Sequence, residues 1–396
     1  MTGRDALTQK ARPTRGFATL IARLLSASAA SLLIAVPVSA AAASKTVTVQ
    51  VGSTPSAKLR LGLWQSDVNA FFPSALSVYT GDSVRFLPSQ PRAFSLAGPV
   101  SLPRQDLKVG FHTVDLPPRG GRPLPLVIPS GSKANSTDAS GSRFWFRGFD
   151  AFILNPKIRA QVPEGTRLYG GSNRLHSGLP FVNRRKPMVI RFTKVGTYRF
   201  FCNLHPGMKG TVRVLRRRDR ASTTVELRRA SARQVNVASS TARMLVRKPK
   251  VRGIVSVGQA GRGGVQRYAF APAAMSVPRG RTVKFVVPPG SRETHTVATG
   301  PGNPATEGDS YLGMLARSIK SGQPDPAATY PSDPPTLGTI ALTPARHGNG
   351  FWNSGVMDAI TRSAPPAVSA VRFRKAGTYR FYCLIHPFMR LKVVVR

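Results

Sequence analysis

The chain has 396 residues, 41% of them hydrophobic, with 36 Gly and 34 Pro, which suits two or three domains of short strands and turns and disfavours a long-helix architecture. Lys and Arg number 58 against 16 Asp and Glu, a formal net charge of +42. Such a charge draws anionic partners, but no finger spacing, ribonucleoprotein aromatic motif or recognition-helix pattern accompanies it, so no specific nucleic-acid partner is expected. What remains is a solvated Arg-rich surface or one facing an anionic cell-envelope polymer, a membrane surface or an acidic protein.

In chain order, Arg4, Lys10, Arg12 and Arg15 form a basic start, and an apolar stretch from Leu24 to Ala43 follows. Its end carries Pro37 and the small residues Val38, Ser39 and Ala40, completing the order of an export signal over residues 1–44, cleaved near Ala40 to Ser44. The protein is therefore expected to be exported: secreted, periplasmic or associated with the cell envelope. An uncleaved anchor is the competing reading, and the stretch is barely long enough to span a bilayer.

The rest of the chain repeats itself. Arg191 to Val214 reads RFTKVGTYRFFCNLHPGMKGTVRV and Arg372 to Val395 reads RFRKAGTYRFYCLIHPFMRLKVVV, matching without a gap. Upstream, Phe72 to Phe86 aligns with Ala271 to Phe285 as strand, Gly turn and strand. Phe111-His112-Thr113-Val114 then aligns with Thr294-His295-Thr296-Val297, and Gln90 to Lys108 is an extra loop in the first repeat. The layout is a signal (1–44), a first domain (45–217), a basic linker (218–251) and a second domain (252–396). Val189 to Thr193 and Thr197 to Phe201 alternate around Gly196, and Val283 to Val287 does likewise. Period-2 runs broken by frequent turns predict an all-β chain of two tandem β-sandwiches. The linker has no apolar stripe wide enough for a core and reads as a charged spacer, with Thr224 to Leu245 able to form a helix. Gly141 to Pro187 and Asn303 to Pro366 read as long excursions between sandwich strands, and they carry Trp145 and Trp352.

Each repeat ends in a Cys-x-x-His-x-x-Met loop: Cys202, His205 and Met208, then Cys383, His386 and Met389. A Cys at a strand end points its sulfur between the sheets, and a short loop stiffened by Pro206 or Pro387 swings the His back beside it. The aligned His112 and His295 supply a second imidazole. Two imidazoles, a thiolate and a thioether make a soft donor set suited to one copper ion, in Cu(I) or Cu(II) form, per repeat. Zinc is the rival metal, although thioether is not among its usual ligands. A disulfide between Cys202 and Cys383, the only cysteines, is the rival fate of the thiols in an exported protein. His176 and His347 belong to no aligned ligand pair and read as ordinary polar residues.

The segments GTYRFFCNLHPGM and GTYRFYCLIHPFM resemble the signature of the plastocyanin/azurin (cupredoxin) family, with the short loop of its amicyanin-like members. The resemblance covers both repeats and implies Greek-key sandwiches, one type 1 copper in each, and electron transfer to another redox protein. Thr113 and Thr296 depart from it, because the family usually has Asn after the first ligand His to tie the ligand loops together. The reading is a non-enzymatic electron carrier, with His205 and His386 reaching the surface through the rims Pro206-Gly207 and Pro387-Phe388 and an acidic redox protein as partner. Copper storage or delivery is the alternative, but the chain lacks Met-rich or His-rich tracts. A multicopper oxidase would need His-x-His pairs, and the chain has none. The long basic segment between repeats leaves the spacing of the two sites unset.

Overall fold

A computed structural model describes residues 44–52, 66–88, 112–159, 165–179, 187–246, 251–359 and 367–396. The expected export signal, but for Ser44, and the expected loop from Gln90 to Lys108 lie outside the described residues. No helix among the described residues is long and apolar enough to cross a membrane.

Strand alternation places the core. Strand Thr46–Val51 buries Val47, Val49 and Val51, strand Met188–Phe192 buries Met188, Ile190 and Phe192, and strand Gly196–Phe201 buries Tyr198 and Phe200. One sheet of the first repeat runs Phe71–Phe72, Thr46–Val51, Ser83–Pro88, Met188–Phe192, Thr166–Tyr169. The facing sheet runs Leu175–His176, Asp115–Leu116, Gly196–Phe201, Lys209–Leu215, Ala75–Tyr79. The second repeat follows the same order: Val265–Ala271, Ile254–Gly261, Thr282–Val286, Val368–Phe373, Thr339–Leu342 in one sheet. Its facing sheet runs Trp352–Asn353, Ala298–Thr299, Gly377–Tyr382, Arg390–Val395, Ala274–Val277. The chain is thus all-β, with two sandwiches whose connections cross from sheet to sheet as in Greek-key folds. Equivalent aromatics fill both interiors: Phe200 meets Phe71 and Phe86 at ring-centroid distances of 4.7 and 5.0 Å, and Phe381 meets Phe285 at 5.2 Å.

The two sandwiches share a seam. Strand Ser66–Val68 of the first repeat adds antiparallel to Val265–Ala271 of the second, with Val68 opposite Val265 and Asp67 opposite Gln266. Asn69 N then donates to Gly264 O at 2.8 Å. The basic segment between the repeats contains the helix Thr224–Val246. Leu227 packs into the first core, while Ala238, Ala242 and Leu245 pack with Val68, Ala70, Phe72 and Val265. Gln234 donates to Phe71 O at 3.1 Å, and Gln259 of the second repeat donates to Leu245 O at 3.2 Å. The segment is a strut and not a free spacer. Small residues let it lie against the seam, which is why no wide apolar stripe marks it.

The two excursions also meet each other. Phe144 and Phe146 from the first cluster with Leu312, Leu315 and Phe351 from the second. Trp145 Nε1 donates to Pro331 O at 2.8 Å, and Trp352 lies 1% exposed in the second core. Both Trp residues are packing elements.

Ala242→Asp places an unpaired carboxylate in the seam and is expected to lower stability by about 3 kcal/mol in urea unfolding. Met244→Asp, at a position 62% exposed, is expected to change it by less than about 0.5 kcal/mol.

Candidate metal centres

Each ligand loop is closed by its own backbone. Cys202 N donates to Met208 O at 3.0 Å, and Met208 N donates to His205 O at 3.0 Å. The second loop repeats this, with Cys383 N to Met389 O at 3.3 Å and Met389 N to His386 O at 2.8 Å. These bonds fold Met back beside Cys, and both methionines are 1% exposed. His112 and His295 come from the neighbouring connection; His295 is fixed by a two-way backbone pair with Met357 at 2.9 and 2.7 Å.

The side chains converge. His112 Nδ1 and His205 Nδ1 lie 2.9 Å apart, and Cys202 Sγ is 3.3 Å from His205 Nδ1. In the second repeat Cys383 Sγ is 3.9 Å from His295 Nδ1 and 3.7 Å from His386 Nδ1. Within each group, one donor atom per residue lies within 4.8 Å of the others, and both groups could hold a metal ion. Donors so spaced can share one ion at about 2 Å from each imidazole nitrogen, an ordinary distance for a first-row metal. Both cysteines are free thiols in separate cores, so no disulfide joins them.

Electrostatics favour the ligating form of the sulfur. Burial alone would raise the Cys202 thiol, but His205 and His112 outweigh it and hold the pKa well below the ordinary value. Cys383 is likewise lowered, burial being outweighed by hydrogen bonds and charge from His295 and His386. Thr113 N donates to Cys202 Sγ at 3.4 Å and Thr296 N to Cys383 Sγ at 3.3 Å, which stabilises a thiolate further.

Thr113 and Thr296, the two departures from the family pattern, tie the ligand loops together. Thr113 Oγ1 accepts from Asn203 N at 2.8 Å and donates to Asn203 Oδ1 at 2.7 Å. Thr296 Oγ1 accepts from Leu384 N at 2.7 Å. A hydroxyl reaches the backbone N–H that follows the ligand Cys and pins one loop to the other.

His176 belongs to neither metal group but is more than a bystander. Its Nδ1 accepts from Gly178 N at 2.8 Å, so Nε2 carries the proton and donates to Asn203 Oδ1 at 2.8 Å. Asn203 also donates to buried Asp115 at 2.9 Å. His347 sits in the packed excursions, 3.0 Å from Asp138.

The expected surface exit of His205 is corrected by the fold. His205 is 6% exposed, and its Nε2 faces buried Glu293 Oε1 at 3.1 Å inside the seam. His386 Nε2 lies 3.8 Å from Glu293 Oε2, with its side chain 18% exposed. The seam that docks the two sandwiches turns both histidine edges inward. His112 Nε2 is 3.5 Å from Asp67 Oδ2 in the same region. Burial lowers the pKa of the His205 ring, but Glu293 and Cys202 outweigh it and leave it well above the ordinary value. Burial raises the Glu293 carboxyl, but His205 and then His386 and His295 outweigh it, holding it far below the carboxylate range. Asp67 and Glu293 carry no motif. The one signal for Glu293 is a carboxylate two residues before the candidate ligand His295 in an acid-poor chain.

No family model matches the chain, and no curated protein matches it. Among solved structures it is similar to amicyanin from Paracoccus versutus at 18% identity, covering 38% of this chain and 88% of that one with a TM-score of 0.20. It is also similar to auracyanin B at 16% identity, covering 36% of this chain and 86% of that one with a TM-score of 0.22.

Thr296→Val leaves the buried Leu384 N–H without its acceptor and is expected to destabilise the second repeat by about 1–3 kcal/mol in chemical unfolding. Thr296→Ser, which keeps the hydroxyl, is expected to restore most of the loss.

Proposed function

We propose that the protein is an exported, non-enzymatic electron carrier that binds up to two copper ions, one type 1 centre per repeat. The first would be held by His112, Cys202, His205 and Met208, and the second by His295, Cys383, His386 and Met389. The observation that carries this reading is the convergence, in both repeats, of two imidazole Nδ1 atoms and a free, buried thiol, with a buried Met closing the same loop. Copper bound there supplies a one-electron couple and no bond-making chemistry.

The chain's own residues account for the rest. Two backbone bonds within each loop and one Thr between loops hold the donors rigidly, so the pocket suits both oxidation states without rearrangement. The Thr113 and Thr296 N–H groups at sulfur tune the thiolate. Burial excludes water that would compete as a ligand. One electron enters and one leaves, with no proton and no substrate atom exchanged. His386, the more exposed of the two loop histidines, offers the shorter way in from a docked partner. A net charge of +42 would steer an acidic redox protein to the surface.

Copper added to the reduced chain is expected to bind at two ions per chain and to give an intense visible thiolate-to-copper band. Cys202→Ser should remove about half of that band and one copper, and the double change Cys202→Ser with Cys383→Ser all of it. Full band intensity in the single variant, or a colourless stoichiometric zinc protein that takes up no copper, would overturn the reading.

A further inference from the structure

Glu293 stands between the two candidate centres and faces a ligand histidine of each. Its Oε1 is 3.1 Å from His205 Nε2, of the first repeat, and its Oε2 is 3.8 Å from His386 Nε2, of the second. The carboxylate is itself clamped. Asn69 Nδ2 donates to Oε1 at 2.6 Å and the Tyr268 hydroxyl donates to it at 2.7 Å. Asn69 comes from the first repeat and Tyr268 from the second, so both sandwiches position the group. Donors converging on Oε1 require an acceptor, which an ionised carboxylate supplies. It is also shut away from water, at 5% exposure, where a charge is poorly screened.

The tautomers complete the argument. In both loops Nδ1 is the atom turned toward the Cys sulfur. A ring that ligates through Nδ1 carries its proton on Nε2, and Nε2 is the atom turned toward Glu293. One anion thus faces two imidazoles from different repeats, within hydrogen-bond distance of His205 and within ion-pair distance of His386. A partner in that position fixes the ring and raises its basicity.

We propose that Glu293 couples the two centres into one unit: a positioning residue whose single negative charge lies against a histidine of each and stabilises the oxidised form at both. The inference rests on the copper reading above. A carboxylate belonging to one site alone would act on that site alone, and this difference makes the idea testable.

The full-length chain carrying Cys383→Ser reports on the first centre, and that carrying Cys202→Ser on the second. In each background the midpoint potential is read from the visible band, with and without Glu293→Gln. The expected result is a rise in both backgrounds, equivalent to at least a tenfold loss of preference for the oxidised form, or 59 mV for a one-electron couple. Glu293→Asp, which keeps the charge in the seam, should return most of that shift in both. Should Glu293→Gln fail to fold, Glu293→Met, of similar length and no charge, takes its place. A shift in only one background, or in neither, overturns the coupling and leaves the copper reading standing. Absence of the band from both single-site chains with Glu293 intact overturns the copper reading, and the coupling with it.

Discussion

A thiolate in a protein interior is costly unless positive or hydrogen-bonding groups surround it. Each repeat is arranged to meet that requirement. The strand Gly196–Phe201 delivers Cys202 between two sheets, where His112, His205 and the Thr113 N–H converge on the sulfur. Strand Gly377–Tyr382 does the same for Cys383. The Gly turn that starts each strand, the aromatics beneath it and the backbone bonds that close the following loop all act to hold one sulfur in one place.

The second constraint is the seam. His205 and His386 are expected from the sequence to reach the surface through their loop rims. Here strand Ser66–Val68 crosses to the second repeat and the helix Thr224–Val246 lies along the junction. The histidine edges are turned inward as a result, and the acids Asp67 and Glu293 are buried beside them. A chain with 58 basic and 16 acidic residues spends two of its few carboxylates at this junction. Their placement is electrostatic: each faces the outer nitrogen of an imidazole.

Much of this was legible in the sequence. The paired GTY segments and Cys-x-x-His-x-x-Met loops fix both strand and loop, because alternation and turn residues act locally. Thr224 to Leu245 is able to form a helix but reads as part of a charged spacer, and the structure has a helix there, Thr224–Val246. What could not be read there is long-range. Ala238 and Ala242 form no apolar stripe, yet they pack because small side chains allow close approach at the seam. Nothing in Ser66-Asp67-Val68 announces a strand that joins the other repeat's sheet. His205 reads as a surface edge when its loop is considered alone, and only docking buries it. Thr113 and Thr296 read as a weakness, since an amide was expected; a hydroxyl at that place meets the N–H that follows each Cys and ties the two loops.

The account stands on two closed donor pockets on either side of one carboxylate. Copper-edge anomalous diffraction from crystals of the loaded, full-length chain tests it most directly. The account predicts two peaks: one enclosed by His112, Cys202, His205 and Met208, the other by His295, Cys383, His386 and Met389, with Glu293 between them and ligating neither. A single peak, or a peak coordinated by Glu293 or Asp67, would contradict it.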